Sequence, residues 1–64
     1  MDDAFVAYGV GHADGKAGRQ DASRVQSPDT GVDYQVGLVD GQLAAFEDAL
    51  VAAIRKAMGD KLDG

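Results

Sequence analysis

Apolar residues recur along the second half of the chain at alternating intervals of three and four positions. The seam consists of Val36, Val39, Leu43, Phe46, Leu50, Ala53 and Ala57, and Ile54 widens it. Such spacing keeps the side chains on one face of an α-helix and is typical of a coiled-coil seam. The pattern predicts a long helix over about residues 28–58, which would measure roughly 40–45 Å at about 1.5 Å per residue.

The ends of this long helix carry recognisable signals. Ser27 and Pro28 fit an N-cap followed by proline at the first helical position, and a second start would use Thr30 as the cap. Gly59 fits the position after the last turn, where many helices end in a left-handed backbone conformation. Residues 59–64 would then form a short tail.

A shorter helix is predicted over about residues 4–17 from its own end signals. Asp2 or Asp3 can cap its N-terminus, and Gly18 can take the left-handed conformation that follows the last turn. Residues 18–27 show no convincing period and are interpreted as a loop. At roughly 20 Å, the short helix would cover only part of the long one.

A repeat links the two predicted helices. Residues 8–15 and 34–41 both read Tyr-x-Val-Gly-x-x-Asp-Gly, at an offset of 26 positions. A glycine inside a helix costs about 1 kcal/mol relative to alanine, so the repeated glycines indicate a compensating close approach of two helices. The predicted helix–helix contact consists of Tyr8, Gly11, Gly15, Tyr34, Gly37 and Gly41. The alternative is that these glycines only weaken or break the helices.

The chain of 64 residues is long enough for one small domain, residues 1–64. It has no cysteine and one histidine, so we expect no disulfide, no metal site and no cofactor. A domain of this size is marginally stable unless helix packing or oligomerisation supports it. We therefore predict an all-α fold, a helical hairpin of one short and one long helix, paired in a homodimer. The predicted oligomer interface consists of Leu43, Phe46, Leu50, Ile54 and Ala57.

The chain is acidic, with a net charge of −5 from 11 acidic and 6 basic residues. This charge opposes nonspecific nucleic-acid binding and favours a basic partner surface. Lys16, Arg19 and Arg24 form a local basic stretch and are the candidate residues for contact with RNA or a partner, although a solvated loop would carry the same charges. No signal peptide or membrane span is predicted, so we expect a cytoplasmic protein without membrane contact.

The sequence contains no strong motif for catalysis or for binding a cofactor or metal. Residues 9–15 do not match the glycine spacing of dinucleotide-binding loops, and His12 has no second nitrogen ligand. No Ser/His/Asp or Cys/His set occurs in an order that favours nucleophilic catalysis. We therefore expect a protein that is not an enzyme and has no small-molecule substrate.

Residues 7–19 read Ala-x-x-x-Gly-His-x-x-Gly-x-Ala-Gly-Arg, and after a 14-residue spacer residues 34–38 read Tyr-x-x-Gly-Leu. This arrangement resembles the ribosome modulation factor family, whose members look like Gly-Tyr-x-x-Gly-x-x-Gly-Arg followed by aromatic-x-x-Gly-aromatic. The resemblance covers residues 7 to about 42.

The resemblance implies two helices joined by a loop, in a protein that binds the ribosome and silences it during slow growth. The residues it carries over are Gly11, Gly15, Gly18, Arg19, Tyr34 and Gly37. Similar small proteins occur in phage genomes, so a role in host takeover is compatible with it. Two hypotheses stay open: a ribosome-associated translation regulator, or an acidic, self-associating module or inhibitor that binds a host protein.

Overall fold

The computed structural model describes the backbone of residues 2–63 and the side chains of residues 2–59. Three helices follow one another along the chain: α1 (Asp3–Ala17), α2 (Ala22–Val25) and α3 (Gly31–Asp63). Residues 2–63 contain no strand, and short α1 packs against long α3. The all-α prediction, with one short and one long helix in contact, is therefore confirmed.

Both ends of α1 follow from the residues that flank it. Asp2 is the N-cap, and its Oδ1 accepts a hydrogen bond of 3.0 Å from the backbone nitrogen of Ala4. Gly18 has a φ of 74°, a left-handed conformation that costs a glycine little. The backbone nitrogen of Arg19 then donates to the carbonyl oxygen of Asp14 at 2.8 Å, which completes the C-terminal cap.

The segment predicted as a loop over residues 18–27 contains a short helix, α2. Asp21 caps it, because Asp21 Oδ1 accepts hydrogen bonds from the backbone nitrogen of Ser23 at 3.0 Å and from Ser23 Oγ at 2.7 Å. Four helical residues are too few to show an apolar period, so only the cap could have indicated this helix from sequence.

The long helix begins at Gly31, three residues after the first predicted start and directly after Thr30, the cap of the second predicted start. Residues 28–30 form a turn in which the backbone nitrogen of Thr30 donates to Ser27 Oγ at 3.4 Å. The nitrogen of Gly31 donates to the carbonyl oxygen of Ser27 at 2.9 Å, so Ser27 does start the turn that leads into α3. The helical ladder then continues with a 3.0 Å bond from the nitrogen of Tyr34 to the oxygen of Thr30.

The predicted stop at Gly59 is wrong. α3 continues through Gly59 to Asp63, and within residues 2–63 the only positive-φ backbone is that of Gly18. A glycine ends a helix when it takes the left-handed conformation, whereas a glycine with helical dihedrals only lowers helix stability. The predicted tail of residues 59–64 is thus helical as far as residue 63, and residue 64 lies outside the described part.

α1 and α3 run in the same direction. Gly11 lies against the backbone of Tyr34, and Gly15 lies against that of Leu38. Residues further along α1 therefore contact residues further along α3, which means that the two helices are parallel. Residues 18–30 return the chain to the level at which α1 begins, a distance of about 22 Å for a helix of this length.

The buried core is small. Its hydrophobic members are Ala7, Tyr34 and Leu38, and Val10 and Val25 pack against them. The molecule extends over 55 × 22 × 12 Å, because α3 continues well beyond the end of α1. No helix in the described part of the chain combines the length and the apolar character needed to cross a membrane.

Candidate interaction surfaces

The predicted helix–helix glycines all lie where α1 meets α3. Gly11, Gly15, Gly37 and Gly41 are buried. An added Cβ would overlap a carbonyl oxygen of the opposite helix in each case: Tyr34 at Gly11, Leu38 at Gly15, Tyr8 at Gly37 and His12 at Gly41. The helices thus approach until their backbones touch, which only residues without a Cβ permit. Such close contacts bring each glycine Cα near a carbonyl oxygen. The resulting Cα–H···O interaction is weak, but it recurs where helices approach closely.

The two repeats also exchange hydrogen bonds across this contact. Tyr8 Oη donates to Asp40 Oδ2 at 2.6 Å, and Tyr34 Oη donates to Asp14 Oδ2 at 2.7 Å. Tyr34 lies 26 positions after Tyr8, and Asp40 lies 26 positions after Asp14, so the two bonds are equivalent. The repeated sequence therefore builds a contact with an approximate two-fold axis running along the parallel helices.

The chain covers only one of these two equivalent bonds. The backbone nitrogen of Asp21, at the cap of α2, donates to Tyr34 Oη at 2.9 Å, and Tyr34 is completely buried. Tyr8 is partly exposed, and Asp40 is exposed. Residues 18–30 thus break the symmetry, and the Tyr34 side becomes the interior of the fold.

The surroundings of the two tyrosines raise their pKa values. Burial raises the pKa of Tyr34, and its hydrogen bond to Asp14 acts in the same direction, while the Asp21 N–H opposes them. The hydrogen bond to Asp40 is the main cause of the raised pKa of Tyr8. Both hydroxyls therefore act as neutral donors at pH 7 and join the two helices.

Two of the three candidate basic residues form ion pairs with neighbouring carboxylates. Arg19 Nη2 lies 3.6 Å from Asp14 Oδ1, and Arg24 Nε lies 3.6 Å from Asp21 Oδ2. Lys16 is exposed in the last turn of α1. Both arginines are exposed, so these ion pairs add little stability, but each places a negative charge beside the cation.

The structure does not bring the three cations into one patch. Arg24 lines an open groove of about 300 Å³ together with Asp3 and Val6, at the beginning of α1. Lys16 and Arg19 lie at the opposite end of α1, about 15 Å away along the helix axis. Across the described residues, no three His, Asp or Glu side chains come together as ligands for a metal ion.

The predicted oligomer residues share a long apolar face that the chain itself leaves uncovered. This outer face of α3 consists of Val32, Val36, Val39, Leu43, Phe46, Leu50, Ile54 and Met58, each between 48 and 74% exposed. Ala57 lies on the same face and is exposed as well. At about 100° per residue, the outer face lies about half a turn around the helix from Gly37 and Gly41, so α1 cannot reach it.

The carboxylate partners of the tyrosines were missed as contact residues in the sequence. Asp14 and Asp40 belong to the repeated motif, and their equal distance from Tyr8 and Tyr34 was the available signal. An aspartate on a predicted helix is usually solvated, so that signal alone does not assign a hydrogen bond.

Comparison of the chain with models of protein families, with curated protein sequences and with solved structures finds no match.

Proposed function

We propose that this protein is a non-enzymatic binding module that presents the outer face of α3 to another protein helix. The observation that carries the proposal is the continuous row of exposed apolar side chains from Val32 to Met58. Monomeric soluble proteins rarely expose apolar patches of this extent without a function. The row spans 26 residues, about 39 Å of helix, and its spacing suits the side chains of a second helix.

The remainder of the fold acts as a support for this face. α1 packs on the side of α3 that bears Gly37 and Gly41, and it holds the first half of α3 in a helical conformation. Because that contact uses the glycine side, every large apolar residue of the outer face stays available. An isolated helix is marginal in water, so a prefolded first half lowers the entropy that ordering would otherwise cost on binding.

We expect a photo-crosslinking amino acid at Phe46 to capture protein in cells that express the chain. Phe46 is 64% exposed at the middle of the outer face, so a bound helix would cover it. The matched control is the same substitution at Ala52, which is exposed on the opposite side of α3. Protein adducts should form several-fold more at Phe46, as measured by gel shift and mass spectrometry. Equal yields at the two positions would refute the proposal.

Ribosome binding, which the family resemblance implies, is the competing proposal. It would run through Lys16, Arg19 and Arg24, and the support for it is the helix–loop–helix arrangement that the resemblance also implies. The net charge of −5 and the carboxylates beside both arginines weaken the attraction to phosphate that such binding needs.

If ribosome association occurs, we expect Arg19→Glu combined with Arg24→Glu to abolish it, because both cations would be lost from the only basic stretch near the loop. Co-sedimentation with ribosomes over a salt series measures this, and the salt dependence should disappear with the binding. Arg55→Glu combined with Lys56→Glu is the control, since it changes the net charge equally on α3. Association that survives the first pair would place the contact elsewhere.

A further inference from the structure

Building on the proposed function, we infer that the helix which covers the outer face of α3 belongs to a second copy of this chain. Two α3 helices would then pair along their outer faces in a two-fold homodimer. Each copy would contribute the same surface, as closed pairs of identical chains do.

The distribution of apolar side chains is the first argument. Among the side chains of residues 2–59, one copy buries only Ala7, Tyr34 and Leu38 as hydrophobic core residues, whereas eight large apolar side chains remain at least 48% exposed on the outer face. A domain of this size has little stability to spare, so a fold with most of its large apolar residues in water is incomplete. A second copy supplies the missing layer without any other component.

The spacing of the outer face is the second argument. From Val32 to Leu50 the apolar positions are separated alternately by four and three residues, which is the repeat that lets a helix pack against a copy of itself. About 39 Å of helix contact offers several hundred Å² per copy, which approaches the area that stable dimers bury.

Charge is compatible with this pairing despite the acidity of the chain. The eight apolar positions of the outer face carry no charge, so the centre of the dimer contact contains no charged residue, and Glu47 lies at its edge, in line with Ile54. The acidic side chains Asp33, Asp40 and Glu47 lie beside the face, where they remain in water and their repulsion is screened by salt. Higher ionic strength should therefore strengthen the dimer.

α1 does not obstruct the second copy. It contacts α3 at Gly37 and Gly41, which lie about 160° around the helix from Val39 and about 100–140° from Val36, and both valines remain exposed. The outer face thus stays open over the first half of α3 as well as over its projecting second half.

The test is analytical ultracentrifugation of the unmodified chain over a dilution series. We expect dimers at high micromolar concentration and dissociation on dilution, with helix content falling as dimers separate. Leu50→Glu should raise the dissociation constant by at least about 100-fold, because the two-fold pairing would bury one unpaired carboxylate from each copy. Ala52→Glu, with the same charge on the opposite side, should leave the constant almost unchanged.

An unmodified chain that sediments as a helical monomer at high micromolar concentration overturns this inference, whatever Leu50→Glu does. If the Phe46 probe meanwhile captures a different protein, the proposed function stands and only the second copy is excluded. If the Phe46 probe captures nothing beyond the Ala52 control, the proposed function falls too. An adduct of twice the chain mass at Phe46, together with sedimenting dimers, supports the inference.

Discussion

Alanine at Gly41 or Gly15 is expected to lower the free energy of unfolding by about 3 kcal/mol, although alanine is the better helix former. A Cβ at Gly41 would overlap the carbonyl oxygen of His12, and a Cβ at Gly15 would overlap that of Leu38. These atoms belong to the backbone of a helix and cannot rotate away, so the helices must separate and lose contact along their length. The cost therefore lies at the upper end of the usual range for overpacking.

Urea denaturation followed by circular dichroism, at one fixed protein concentration, measures this effect, because self-association makes apparent stability depend on concentration. Gly9→Ala is the matched control: Gly9 lies on α1, as Gly15 does, is exposed, and has open space around the position of a Cβ. There alanine should stabilise the protein by up to about 1 kcal/mol. A Gly41→Ala variant as stable as Gly9→Ala would show that the backbones do not touch.

The four repeated glycines show which part of the fold could be predicted from the sequence. Two copies of one motif, each with glycines four positions apart, predicted a close contact between two helices, and Gly11, Gly15, Gly37 and Gly41 do lie in it. The direction of the helices could not be predicted in the same way. A small-residue face has no polarity along its axis, and a connection of about ten residues fits either direction.

The helix ends show the opposite limit of prediction from sequence. Gly18 and Gly59 carry the same local signal, yet Gly18 ends α1 and Gly59 lies inside α3. After Gly18 the chain turns back along α3, and the backbone nitrogen of Asp21 donates a hydrogen bond to Tyr34 Oη. This bond stabilises the left-handed turn at Gly18. Such tertiary contacts decide between a stop and a continuation, and local propensity does not contain them.

Phenylalanine at Tyr34 should destabilise the protein far more than phenylalanine at Tyr8, although the two positions are equivalent in the repeat. Without the hydroxyl of the completely buried Tyr34, the side chain of Asp14 and the backbone nitrogen of Asp21 lose their partner at a partly buried site. Tyr8 is partly exposed, so water can replace its hydroxyl at Asp40. We expect the melting temperature to fall by on the order of 10 °C for Tyr34→Phe and by only about 2 °C for Tyr8→Phe. Equal losses would mean that residues 18–30 do not shield the Tyr34 side.

Alkaline pH provides a second readout of the same hydrogen bond. The folded protein holds the pKa of Tyr34 above its ordinary value, chiefly through burial, so the folded state binds this proton more tightly than the unfolded chain does. The associated stability is complete below a pH of about 10, the ordinary pKa of tyrosine, and is lost as the pH rises through the folded-state pKa. Tyr34→Phe has no proton to lose there, so its stability should fall less steeply above pH 10 than that of the unmodified chain. The raised pKa of Tyr8 leaves a remaining slope in that variant, because its bond to Asp40 is kept. If both proteins lose stability with the same slope, the Tyr34 hydroxyl is not the buried donor that joins α1, α3 and the cap of α2.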